Sequence, residues 1–376
     1  MSPYVAATFG GRQLSEYSDP RPHVALRTGE PWLSALSRAL RDDRLLYGVI
    51  GAYVFATAAL AWSLGKHDAD TFLLPFLTPL KFLASGVALF VLAVDLPRAI
   101  RAAPRAPLTE FGNRVRARLT PDIVRPILMI LALAAFLGSF TTAKTSLAHF
   151  GGFTWDQKLA DLDAWLHGGV DPWRLLHPLL GHQAVTRILQ VCYLPVWLTL
   201  AFGAPLWVAT APRLAGIRTR FLAAYLLTWV LLGNVLAACF LSAGPVYFGQ
   251  VTGDVDRFKP LMDYLAFSAG TSNSSYDLQQ WLWLLHSTGQ ARAGSGISAF
   301  PSVHVAMATL LAILGSLMGR KAFALALAYL VLILAASVHL GWHYAIDGYA
   351  SIILTTALWF ALRPLDRREP ARRRPA

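Results

Sequence analysis

Residues 301–347 read PSVHVAMATLLAILGSLMGRKAFALALAYLVLILAASVHLGWHYAID. A proline-serine pair and a histidine open the stretch, two apolar runs flank Arg320 and Lys321, and His339, His343 and Asp347 close it. Each run is close to the length a helix needs to cross a bilayer, so together they make one round trip. The polar residues at 304 and at 343–347 therefore return to the same membrane face, although the most apolar part of the hairpin lies between them.

Working outward from that hairpin, the chain has 376 residues, 55% of them hydrophobic, and a net charge of +12. That composition excludes an ordinary soluble domain and points to an all-α, polytopic membrane bundle. Apolar stretches at 45–64, 74–96, 126–147, 188–209, 221–241, 301–318, 322–338 and 345–362 make about eight transmembrane helices. The basic residues are not gathered on one domain, as nucleic-acid binding would require, but fall between apolar stretches. Arg98, Arg101, Arg105, Arg114, Arg116, Arg118 and Arg125 share a connector that includes Glu110. Eight crossings put that connector on the same side as Arg213, Arg218 and Arg220, as the Arg320–Lys321 turn, and as the tail with Arg363, Arg367, Arg368, Arg372, Arg373 and Arg374. Both termini are then cytoplasmic, and the polar ends of the 301–347 hairpin face the extracytoplasmic, periplasmic side of what reads as a bacterial plasma membrane.

The expected organisation is a cytoplasmic amphipathic arm at 1–44, two accessory spans with a basic loop at 45–125, a six-helix catalytic bundle at 126–363 and a basic tail at 364–376. The arm lacks the short apolar core and small-residue cleavage site of a signal peptide. Cys192 and Cys239 sit inside apolar runs and supply neither a disulfide framework nor a zinc-cysteine site.

Two connectors on the extracytoplasmic side are long. In the first, Trp155, Leu159, Leu162 and Leu166 share one helical face while Asp156, Lys158, Asp161 and Asp163 fall elsewhere, which describes a helix capping the bundle at the interface. The second, 242–300, combines backbone breakers (Gly244, Pro245), aromatics (Tyr247, Trp281, Trp283) and cations (Arg257, Lys259, Arg292) just before the histidine motif. Tyr247, Arg257, Lys259 and Arg292 are accordingly candidates for binding a lipid headgroup.

Pro301 suits the first turn of a helix whose unsatisfied amides point outward. Those amides, the Ser302 hydroxyl and the Gly294-Ser295-Gly296 backbone make a candidate phosphate cradle, with His304 about one turn further in. His343 and Asp347 are four residues apart and share a face if helical, so the carboxylate can take one ring N–H and leave the other nitrogen's lone pair free. An imidazole held that way is a competent nucleophile toward phosphorus. His304, His343 and Asp347 together cover attack, orientation of the attacker and proton donation to the leaving oxygen. A zinc reading competes, because His339, His343 and Asp347 recur at four-residue intervals and His304 returns to the same face. It ranks lower, since no glutamate lies near to serve a metal-bound water; His339 then joins the substrate-binding candidates.

Phe300-Pro301-Ser302-Val303-His304 and Gly341-Trp342-His343-Tyr344-Ala345-Ile346-Asp347-Gly348 resemble the second and third signatures of the type 2 phosphatidic acid phosphatase superfamily. The His-Tyr-x-Ile-Asp form is similar to the branch holding inositol phosphorylceramide synthases and sphingomyelin synthases. The resemblance implies a six-span catalytic bundle, no metal and no cofactor, a phosphohistidine on His343, His304 as the acid for the leaving group and Asp347 as the partner of His343. Val303 stands where the signature has glycine, Ser337 where phosphatases of the superfamily carry arginine, and the first signature, a lysine followed by Arg-Pro, is absent in that form. These departures favour a membrane lipid phosphotransferase that moves a phospho-headgroup from a phospholipid donor to a lipid or polyol hydroxyl. The alternatives are a lipid phosphate phosphatase using water and, outside enzymes, a lipid-binding or transport protein.

Overall fold

The structure, a computed structural model, describes residues 31–65, 69–147, 151–290, 292 and 294–366. Most of the expected N-terminal arm and the tail from Arg367 onward lie outside the described residues. Helices carry the described chain. The amphipathic α1 (Trp32–Asp42) leads into α2 (Arg44–Ser63) and α3 (Ala69–Ala102), and α4 (Pro107–Arg118) turns the chain into α5 (Val124–Ser146). After α6 (Asp156–Leu166) and α7 (Pro172–Leu180) come the long helices α8 (Gln183–Thr210) and α9 (Arg218–Cys239). The next connector folds into α10 (Phe248–Thr252), α11 (Lys259–Leu265) and α12 (Ser275–Ser287). The histidine hairpin supplies α13 (Val303–Met318) and α14 (Arg320–His339), and α15 (Ala345–Ala361) follows.

Every expected apolar stretch is helical, and six of these helices are long and apolar enough to cross a bilayer. The chain is an integral membrane protein. The other two, α13 and α15, have only 16 and 17 residues because each begins late, α13 after the Ser302 cap and α15 after Tyr344. From their shared turn at Gly319, α14 rises about 30 Å and α13 about 24 Å at 1.5 Å per residue. With both helices along one axis, the first turn of α13, which holds His304, lies about 6 Å short of the end its neighbour reaches.

The accessory helices α2 and α3 pack on α5, which in turn packs on α8, while α13 lies between α14 and α15. Met129, Phe136, Phe221, Tyr225, Leu310 and Ile333 fill the buried interior. At the end of the bundle away from the histidines, arginines expected as membrane anchors also staple the helices. Asp43 accepts from Arg125 at 2.9 Å and pairs with Arg218, Asp95 takes Arg118 at 2.7 Å, and Arg220 reaches the Trp359 carbonyl at 2.7 Å. These pairs are buried on the carboxylate side, with Asp43 and Asp95 5% and 3% exposed, so breaking one strands a charge.

Helix α6 corrects the expectation from leucine spacing. It does cap the bundle, but Asp156 and Asp163 face inward, 1% and 2% exposed, while Leu162, Trp165 and Leu166 point outward. The reason is backbone amides in need of acceptors. Asp156 takes the amides of Ala243 and Gly244, both at 2.8 Å, and the Tyr344 hydroxyl at 2.9 Å; Asp163 takes those of Ala345 and Ile346 at 2.9 and 3.0 Å. Burial pushes both carboxyls above the usual range, against the pull of those hydrogen bonds. Asp163→Ala should therefore destabilise the protein by about 1–3 kcal/mol through two orphaned amides at the start of α15. A thermal midpoint in detergent equal to wild type would refute that role.

Candidate active site

Backbone hydrogen bonds knit the histidine segments together before any side chain is considered. The Ala299 amide donates to the Ser242 carbonyl at 2.8 Å, the Val246 amide to Gly341 at 3.0 Å, and the Ser302 amide to Asp347 at 3.3 Å. Gly244 lies where the 242–247 strand of chain crosses the 342 loop, with φ of +96°; a Cβ there would sit 2.6 Å from the Trp342 carbonyl oxygen. Only glycine meets both conditions.

Asp347 serves His343 and the helix at once. Its Oδ2 lies 3.2 Å from His343 Nδ1 and accepts the Tyr344 amide at 3.1 Å, so one oxygen caps α15 and faces the imidazole. The two residues do not share a helical turn, as their spacing had suggested, because α15 starts at Ala345. The cap geometry brings them together instead. The Ser337 carbonyl fixes the preceding loop by accepting the amides of Trp342 and His343 at 3.0 and 3.1 Å. Burial, and after it the charge of Lys144, hold the His343 imidazole down to about 3, while the Ala299 carbonyl opposes them. A neutral ring follows at any working pH.

His304 is clamped between aromatics. Tyr193 stacks on it at 4.3 Å and Trp197 at 4.0 Å, and the Trp197 indole N–H donates to the His304 carbonyl at 3.0 Å. Both aromatics come from α8, where a π-helical turn at Cys192–Val196 carries Pro195. Such a bulge re-aims side chains that a regular helix would send elsewhere. The rings of His304 and His343 are 6.3 Å apart between centroids. That gap admits a phosphate between them.

Both histidines open into a cavity of about 430 Å³, walled by Phe140 and Trp229, with residues 294–298 along one side and the 242–300 connector above through Tyr247, Ser274 and Trp281. Its far wall includes Thr78, Pro79 and Phe82 of the accessory helix α3, with Phe82 set edge-on to Phe202 of α8 at 5.5 Å. Among the described residues, this lining holds no arginine or carboxylate, and its one lysine is Lys144.

The other expected site residues are placed differently. Tyr247 does line the cavity, stacked on Trp283 at 5.1 Å with its hydroxyl donating to the Gln279 carbonyl. Pro301 precedes the cap rather than opening the helix, and Ser302 is the N-cap, fully buried, its Oγ taking the Val305 amide at 3.4 Å. Arg257 is held by Asp161 at 2.6 Å and Asp171 at 2.9 Å, and Lys259 by Asp263 at 2.6 Å. Arg292 is exposed. None of these three cations reaches the cavity wall, because local carboxylates claim the first two and the loop turns the third outward. His339 points away too, its Nε2 2.9 Å from Thr186 Oγ1 beside His177 and Tyr264. Helix α14 ends at His339 and the chain turns before His343, so the four-residue periodicity behind the zinc reading is not realised. No group of three or more histidine, cysteine, aspartate or glutamate side chains forms a metal-sized cluster among the described residues.

Lys144 escaped the sequence reading. Its signal was available: a lone lysine near the end of an apolar span, where ionisable residues are scarce.

The family model of the PAP2 superfamily matches residues 157–361, from the first turn of α6 to the end of α15 and more than half of the chain. No curated protein and no solved structure matches.

Proposed function

Because the chain belongs to the PAP2 superfamily, and is thereby an enzyme of lipid phosphate chemistry, we propose that it is a membrane phosphotransferase working through a phosphohistidine on His343. The observation that carries this reading is the His343–Asp347 pair facing His304 across 6.3 Å in one cavity. In the first step His343 Nε2 bonds to the donor's phosphorus while the P–O bond to the lipid alcohol breaks. The departing oxygen takes the proton carried by His304. In the second step an acceptor hydroxyl attacks the same phosphorus, His304 takes back its proton, and the P–N bond breaks, restoring the free enzyme. Asp347 keeps Nδ1–H occupied throughout and stabilises the cationic ring of the intermediate.

Water and an alcohol are equivalent nucleophiles in the second step, so the outcome depends on which of them reaches the intermediate. The largely aromatic and aliphatic wall favours a lipid or polyol hydroxyl over water, which supports the inositol phosphorylceramide and sphingomyelin synthase-like branch over the phosphatase. The donor enters from the bilayer, on the extracytoplasmic face, with both termini cytoplasmic. The reading replaces the lipid-binding or transport alternative, since the superfamily is one of enzymes.

The test uses purified protein in detergent with phospholipid labelled at phosphorus. Quenching in alkaline detergent during turnover should trap label on the protein in an acid-labile, base-stable bond that maps to His343. Adding a long-chain alcohol or ceramide acceptor should divert label from free phosphoester into a new lipid. If acceptors leave the product ratio unchanged and water takes all the label, the phosphatase replaces the transferase.

A further inference from the structure

Phosphoryl transfer needs a positive charge beside the phosphate oxygens, and the cations the sequence offered are spent on carboxylates or point to solvent. We propose that Lys144 of α5 is the cation that holds the substrate's phosphate group in the cavity with His304 and His343. The assignment rests on the reading that this cavity accepts a phosphate ester. Lys144 lies upstream of the residues matched to the superfamily, so the match does not assign it.

Three observations carry it. Lys144 lines the same cavity as both histidines, and that lining contains no carboxylate and no arginine among the described residues. An ammonium there, facing no acid, makes the cavity a site for an anion. Second, Lys144 has no carboxylate or hydrogen-bond partner among the described residues, whereas Arg118, Arg125, Arg218, Arg220, Arg257 and Lys259 all have one. A lysine kept unpaired inside an apolar span is costly unless a ligand completes it. Third, residues 294–298 are built around it. A Cβ on Gly296, where φ is +100°, would lie 3.0 Å from Lys144 Cγ and 3.1 Å from the Thr145 amide nitrogen. The loop can press against the lysine stem only because that residue is glycine.

The geometry also accounts for Ser337, which stands where phosphatases of the resemblance carry an arginine. Its side chain bonds the Leu334 carbonyl at 2.7 Å and is buried, so the phosphate's counter-charge comes from a different helix altogether.

The experiment compares wild type, Lys144→Met, Lys144→Arg and His343→Ala in detergent, with orthovanadate as the anion probe and dioleoyl phosphatidic acid as the reporter substrate. Orthovanadate should raise the thermal midpoint of wild type and of Lys144→Arg, and its apparent affinity should weaken by roughly 10- to 100-fold in Lys144→Met. kcat/KM for the lipid should fall over the same range in Lys144→Met, chiefly through KM, and recover within about tenfold in Lys144→Arg. Without ligand, Lys144→Met should melt at or above wild type, because an uncompensated charge has been removed from the interior; that separates lost binding from lost folding. Unchanged orthovanadate affinity in Lys144→Met overturns the assignment whatever else is found. If His343→Ala still turns over lipid while Lys144→Met loses orthovanadate, the nucleophile reading fails and the anion site stands.

Discussion

His343→Ala abolishes phospholipid turnover, with a loss on the order of 10,000-fold or more, and no label remains on the protein after the alkaline quench. The expectation follows from geometry, since among the described residues the cavity presents no other nucleophile held by a carboxylate, and Asp347 cannot act without the ring it orients. The pH dependence carries a second check. Because burial lowers His343 to about 3, the neutral, attacking form is complete well above that value and is lost only as pH falls through it. kcat/KM, which reports the free enzyme, should then show no acid limb from His343 near 6.5. Turnover within tenfold of wild type in a correctly folded alanine variant removes His343 from the nucleophile's role.

His304→Ala gives the next largest effect, and its size depends on the leaving group. With a phospholipid donor, whose departing alkoxide is strongly basic, loss of the proton donor should cost about 100- to 10,000-fold. With a p-nitrophenyl phosphodiester, whose leaving group needs no proton, the burst of p-nitrophenol that reports the first step should recover in the same variant to within about tenfold of wild type. A loss of equal size on both substrates would mean that His304 positions the phosphate rather than protonating the alcohol. The stacking of Tyr193 and Trp197 makes the test clean, because the two rings have partners of their own and the cavity wall survives the truncation.

Much of the architecture was legible because the bilayer allows few choices. The apolar stretches and the return of His304 and His343 to one end follow from helix length. The family resemblance was legible from two short motifs, and the match over residues 157–361 bears it out at the level of the superfamily. What escaped is what depends on neighbours distant in sequence. Leucine spacing set Asp156 and Asp163 off the apolar face of α6, but four backbone amides and a tyrosine hydroxyl, supplied from residues 243–244 and 344–346, draw them inward. Arg257 and Lys259 looked available because their partners, Asp161, Asp171 and Asp263, carry no mark as partners in the sequence. Lys144 was read as part of a span, since hydropathy averages a single charge away.

The late start of α13 sets how a substrate meets the enzyme. With both helices along the bilayer normal, a helix about 6 Å shorter than its neighbour would leave a well whose floor lies inside the membrane, at a depth set by the protein rather than by solvent. A lipid would reach that floor by sliding sideways and sinking its head, keeping its tails among other tails. A water-borne phosphoester has no tails to leave behind and would have to shed its hydration to descend. Discrimination between the two would then be a property of depth, imposed before any residue touches the phosphate.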